Sequence, residues 1–399
     1  MAGLANARVG APEQETVRVG FMPLTDCASL VMASVLGFDQ RYGIRIDLRC
    51  EMSWSSVRDK LCDGALDASH ALYGLVTGAH LGLGARRRDM AVLMGLSQNG
   101  QAITLSRRLA SRGAVDGPSL KALLAVTERR MTFAHTFPGG NHALLLSYWL
   151  AAHGIDPQHD VRLVTLPPSQ MVASLEAGHL DGFCAGEPWS ARAVQDSCGV
   201  TAATSQQIWR NHPGKVLGAS ADFARRKPRT CIALVAAVLD AARWIDADEA
   251  HREAAAEVLA SPAYINAAQE LIAARLLGRY QDGLGKSWTD PDRLRFHGDG
   301  DVNFPWLSDA MWFMTQQRRW GMLKADPDYL AVAGAVNQVD LYREAAELSG
   351  TPVPAGVMRS AVLLDGKRWD GSDAAGYAAS FDNGMMNTTA LPSLRSEPD

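Results

Sequence analysis

With 399 residues, 47% of them hydrophobic, the chain has the apolar content for a large core and the length for two or more lobes. Its 39 basic and 43 acidic residues leave a net charge of −4, which excludes a basic nucleic-acid-binding face on the chain itself, so any contact with RNA is indirect. Six cysteines, at 27, 50, 62, 184, 198 and 231, form no CxxC pair and no ligand-like cluster with His; no metal site or disulfide framework is expected, and they read as buried thiols in a reducing compartment.

The opening stretch MAGLANARVGAPEQETVRVGF has one early Arg and no apolar h-region before Val17, and no uncharged apolar run is long enough to span a bilayer. A soluble, cytoplasmic protein is expected. VRVGFMP predicts a strand, Thr25 or Asp26 caps a helix to about Tyr42, and IRIDLRC is the next strand. A helix starts near Ser53, and another runs toward Gly84 after LDASHAL. MAVLMGL and QAITLS are predicted strands, the second closing a first α/β unit near Leu109. A second unit follows: strand MTFAH, helix Asn141–His153, strand VRLVTL, helix Pro168–Ala177, strand GFCAGE, helix Pro188–Cys198, and strands TAAT and KVLGAS. From Ala221 the chain is mostly helical. The expected organisation is therefore α/β, with lobe I at 17–125 plus 222–370, lobe II at 128–221, and a loosely packed tail at 371–399.

Enzyme signatures are missing: there is no GxSxG elbow, P-loop, HExxH or Gly-rich dinucleotide turn. Cys184, in the apolar strand Gly-Phe-Cys-Ala-Gly, reads as inert packing and not as a nucleophile. No enzyme activity and no cofactor are expected.

Donor-rich stretches recur at strand ends and helix starts. In TFPGGNHALLLSYWLAAHGIDP, Gly139 and Gly140 let the backbone approach a ligand, and a long apolar helix begins at Asn141-His142 with its free N–H groups and positive dipole end. His142 reads either as an anion contact or as a helix-start histidine exposed to water. SWSSVRDKL puts Trp54 in the first turn of a helix, where packing at a lobe edge is the ordinary alternative to ligand contact. NGQAITLS puts Gln101 at a strand start, as an inward donor or as part of a hairpin turn. In HPGKVLGA, Lys215 is either a solvated surface charge or the cation of a site. As a set they suit one small monoanion: a cation, neutral donors and an aromatic plane. Trp306, Trp312 and Trp320 read as core or as part of a partner surface.

GFMPLTDCASLVMA, SWSSVRDKL, LDASHALYG, NGQAITLS, TFPGGNHALLLSYWLAAHGIDP, LPPSQMVASLEAGHLDGFCAGEPWSA, HPGKV and VNFPWLSDAMWFMTQQRRWG span Val17 to Glu347 in order. Over this span the chain resembles the nitrate- and bicarbonate-binding proteins of bacterial ABC importers, and in particular the cytoplasmic nitrate/nitrite sensor branch. The resemblance implies a two-lobed, periplasmic-binding-protein-like (type II) fold with a ligand cleft between the lobes. It places the anion contacts on Trp54, Gln101, Gly140, His142 and Lys215. Nitrate binders have Lys where Lys215 stands, and bicarbonate binders an acidic residue that works with calcium, so the implied ligand is nitrate or nitrite without a metal. Asn141 and Gly214 depart from the importer pattern, which has Thr and Glu. The implied function is a sensor that sequesters an ANTAR-domain RNA-binding antiterminator of the NasT type and releases it on binding nitrate or nitrite. The alternative is the substrate-binding component of a nitrate or bicarbonate importer.

Overall fold

The computed structural model describes residues 10–381, and among them are two five-stranded sheets. In chain order the strands are β1 (Thr16–Phe21), β2 (Arg45–Cys50), β3 (Ala68–Ala71), β4 (Met90–Gln98), β5 (Gln101–Ser106), β6 (Met131–His135), β7 (Val161–Thr165), β8 (Gly182–Gly186), β9 (Gly199–Thr204) and β10 (Pro213–Ser220). Helices that matter below are α1 (Ala28–Val35), α2 (Trp54–Asp63), α3 (Tyr73–Leu81), α4 (Asn141–Ala152), α5 (Pro228–Ala247), α6 (Leu307–Arg319) and α7 (Ala374–Ala379).

Sheet one runs β2-β1-β3-β10-β4 and sheet two β7-β6-β8-β5-β9. Strands β1, β2 and β3 are mutually parallel, as are β6, β7 and β8, while β10 and β5 enter their sheets antiparallel. This assigns two strands differently from the sequence reading. QAITLS lies in sheet two between β8 and β9, not at the end of lobe I, and KVLGAS lies in sheet one between β3 and β4, not in lobe II. The physical reason lies in the connections. Asn99 and Gly100 both take left-handed φ values, 66° and 78°, and the turn they make carries the chain from one sheet to the other instead of folding a hairpin within one. The return crossing runs beside it: Asn99 N–H donates to His212 O at 2.8 Å, and His212 N–H donates back to Asn99 Oδ1 at 3.0 Å.

The core is layered as the periodicity requires. Helix α5, twenty residues starting with Pro228, buries the face from Thr230 to Ile245 on sheet one. Helix α4 is buried all round from Asn141 to Leu150, as expected of a helix placed between two layers. Trp306, Trp312 and Trp320 are all buried, so the core reading of these tryptophans holds and they form no partner surface. The predicted loose tail also changes: Asp373 caps α7, Tyr377 lies 4.8 Å from Trp369, and both Tyr377 and Phe381 are buried against the rest of the chain. Aromatic burial fixes this part, while residues 382–399 of that expected tail lie outside the described residues. No helix among the described residues is long and apolar enough to cross a membrane.

Candidate functional site

The two sheets face each other across the crossing strands, and strand ends and helix starts from both meet there. Ser53 caps α2 by accepting from Ser56 N–H at 3.1 Å, which fixes Trp54 as the first helical residue and turns its indole inward, 1% exposed. Gln101 opens β5, and its side-chain Nε2 is 3.5 Å from His212 Nδ1. Gly140 is the N-cap of α4, where a Cβ would lie 2.6 Å from Leu72 Cδ1, so a larger residue there would have to displace the Leu72 side chain. His142 follows in the first turn, with no exposed surface and its Nδ1 2.6 Å from Thr136 Oγ1. Lys215 enters from β10, also buried.

Trp54, His142 and Lys215, drawn from three segments of sequence, gather at one point, Gly140 opens the same helix as His142, and Gln101 is held beside His212. Lys215 Nζ lies 6.0 Å from the Trp54 ring centroid, and the His142 ring 6.4 Å from it. Trp54 Nε1, Gln101 Oε1 and His142 Nε2 are buried with no protein hydrogen-bond partner. Buried polar atoms are normally paired, so a group of orphans beside a buried ammonium marks a place for a polar ligand. The surface readings of Lys215 and His142 are overturned by their burial, and Trp54 lines the group instead of a lobe edge.

Two residues escaped sequence reasoning. Asp26, read only as a helix cap, places Oδ2 2.5 Å from Lys215 Nζ, with both side chains fully buried. His70 places Nε2 2.9 Å from Asp26 Oδ1, off the line of a good hydrogen bond, while its Nδ1 accepts from Met22 N–H at 3.3 Å. The Trp54 ring centroid is 5.4 Å from that of His70. Burial pushes the Asp26 pKa up, but the Lys215 ammonium first, and then the His70 ring beside it, more than offset this and hold the carboxylate well below its usual range. For the histidines burial wins. It lowers His70 despite Asp26, lowers His142 strongly with help from Lys215, and brings His135 to about 4 and His212 to about 3. Cys184 is buried in β8 and burial raises its thiol far above the ordinary range, which suits packing and not nucleophilic attack.

The lobes are closed over this group. Asn141 bridges them, accepting from Gly74 N–H at 3.3 Å and donating to Gly214 O at 2.6 Å. Thr25 N–H donates to Glu187 O at 2.8 Å, and Arg275 Nε to Glu187 Oε1 at 2.8 Å. From α6, Gln317 Nε2 donates to Gly74 O at 2.9 Å and to Gly139 O at 3.1 Å, one side chain holding both sides. Gly74 is the tightest approach, since a Cβ there would sit 2.2 Å from Gly139 O. Gly74→Ala is therefore expected to disfavour the closed form and to weaken ligand binding by about tenfold or more, because apparent affinity scales with the closed fraction. Titration calorimetry of the variant checks this, and an unchanged affinity would show that binding does not need this contact.

A two-lobed α/β shell with two crossing strands and a buried polar cluster between its sheets defines the periplasmic-binding-protein class of fold. Residues 10–260 match the NMT1-like family. The nitrate/nitrite binding protein NrtA of Synechococcus elongatus is 37% identical over 384 residues, 92% of this chain and 86% of that protein. The nitrate import ATP-binding protein NrtC of Synechocystis is 36% identical over 373 residues, of which the chain spans only 55% of the relative's length. The crystal structure of the periplasmic nitrate-binding protein NrtA from Synechocystis PCC 6803 superposes with a TM-score of 0.89 at 32% identity, covering 94% of this chain and 100% of that one. The chain belongs to the NMT1-like family and, within it, to the NrtA-like substrate-binding proteins.

Proposed function

We propose that the chain binds nitrate or nitrite between its lobes and serves as the substrate-binding component of an anion importer. The observation that carries this is the buried Lys215 ammonium, surrounded by the unpaired Trp54 Nε1 and His142 Nε2 at the start of α4. A small planar anion would accept from these donors and from the free N–H groups behind Gly140, with the helix dipole adding to the field. Trp54 offers a flat face for a flat ligand. The likeness to NrtA over nearly the whole chain supports the importer role better than the sensor role that the sequence reading put first.

Closure supplies the signal in either role. A ligand that contacts both lobes favours the closed form, and a partner that reads closure is linked to ligand by the same factor in both directions.

Isothermal titration with nitrate, nitrite and bicarbonate, each with and without calcium, tests the ligand. Metal-independent binding of nitrate or nitrite is expected; calcium-dependent bicarbonate binding would overturn the assignment. The role is tested by partner: stimulation of a membrane permease–ATPase by the liganded protein supports import. Capture of an ANTAR-domain antiterminator of the NasT type, released by nitrate, together with a cytoplasmic location, would establish the sensor instead.

A further inference from the structure

We infer that this site takes its anion together with one proton, which lands on His142, because Asp26 already neutralises Lys215. The inference rests on the monoanion reading above and adds to it the charge balance of the site.

Lys215 Nζ and Asp26 Oδ2 are 2.5 Å apart with both side chains fully buried, so the cation of the site is already paired. The protein groups facing His142 come from every element around it: Asp26 after β1, Lys215 from β10, His212 from the return crossing and His135 from β6. Trp54 and Thr136 complete the surround and carry no charge. With the histidines neutral, the groups sum to no net charge. A monoanion entering alone would leave one unbalanced negative charge in a water-excluded interior, which such interiors tolerate poorly. A proton balances it.

Hydrogen-bonding capacity decides where the proton goes. His70 Nδ1 accepts from Met22 N–H at 3.3 Å, so protonating that nitrogen would set two donors face to face. His212 Nδ1 meets Gln101 Nε2 at 3.5 Å and would have an acceptor only after that amide turned its Oε1 inward, and His135 Nδ1 has no protein acceptor. His142 has no such conflict. Its Nδ1 meets the Thr136 hydroxyl at 2.6 Å, a group that accepts as readily as it donates, and its Nε2 has no protein partner. A doubly protonated His142 would donate from Nδ1 to Thr136 and from Nε2 to the anion, and both hydrogens would be satisfied.

The direction of the pH effect follows. Burial and the Lys215 charge hold the His142 pKa well below its ordinary value, whereas an anion at Nε2 raises it. Between those two pKa values the proton is bound only in the complex, so affinity rises about tenfold for each unit that pH falls. Asp26 thus sets which anions bind well and at what pH, without itself donating to the ligand.

The test is titration of the full chain with sodium nitrate in HEPES and in Tris, whose ionisation enthalpies differ, from about pH 6.5 to about pH 8.5. Expected are uptake of close to one proton per anion and an affinity falling about tenfold over the upper unit. Asp26→Asn frees Lys215 and should bind nitrate more tightly at about pH 8.5, with uptake lost and the pH profile flat. If that variant does not fold, the wild-type buffer pair still decides the matter. Equal heats in the two buffers with a flat wild-type profile would overturn the proton coupling while leaving the anion site intact. Uptake that persists in Asp26→Asn would overturn the role of Asp26. No nitrate or nitrite binding at any pH would remove the monoanion reading, and this inference with it.

Discussion

Lys215→Met is expected to abolish nitrate binding and to lower folding stability by about 3–5 kcal/mol, the usual cost of stranding one partner of a buried ion pair. The stranded group is Asp26, whose side chain has no exposed surface and whose other close neighbour, His70, is held neutral by burial. Combining Lys215→Met with Asp26→Asn should recover most of the stability, because an amide needs no counter-charge, yet it should not recover binding. Denaturant midpoints and titration calorimetry separate the two effects. If Lys215→Met keeps wild-type affinity, Lys215 is a structural lysine and the anion lies elsewhere.

Acid should unfold this protein early. His70, His135, His142 and His212 are all buried with lowered pKa values, His135 near 4 and His212 near 3. The sign is fixed by linkage: below the ordinary value of 6.5 the unfolded chain takes up protons that the folded chain refuses, so stability present above 6.5 erodes as pH falls toward the folded values. Each histidine held neutral adds about 1.4 kcal/mol of loss per pH unit within its window. Asp26 acts in the same direction lower down, since its depressed pKa gives stability above 3.8 that is lost beneath it. A loss of several kcal/mol is expected between about pH 7 and about pH 5, read from urea midpoints, with net proton uptake on unfolding. A flat profile over that range would show that these histidines carry their protons in the fold.

How much of this was legible in the sequence depends on whether a feature is local. The alternation of strands and helices was, because periodicity and caps such as Ser53 are encoded within a few residues. The sheet assignments of β5 and β10 were not. A strand buried along its whole length, as β5 is, shows the same apolar run whichever sheet receives it. The clustering of Trp54, Gln101, Gly140, His142 and Lys215 came from the resemblance; spacing alone left each with a bland alternative. Asp26 was missed for a plain reason. It meets Lys215 across 189 residues of chain, and an acidic residue beside a Thr at a helix start already has a sufficient local explanation. His70 stood in a quoted stretch, LDASHALYG, but a histidine within a buried strand gives no sign of which neighbour it faces.

The way sheet one takes a strand from beyond sheet two bears on how the chain is made. Sheet one needs β10, at 213–220, between β3 and β4, so during synthesis it stays split until all of sheet two, ending at Thr204, has been made. Sheet two has no such debt: β5 to β9 follow one another within 101–204. The later-numbered lobe therefore can finish first, while β3 and β4 wait with open edges that invite wrong pairing. Cutting the chain between the lobes would not release two domains, because sheet one would lose the strand that joins β4 to β3. Length alone makes the protein look divisible; the threading of two strands makes it one folding unit.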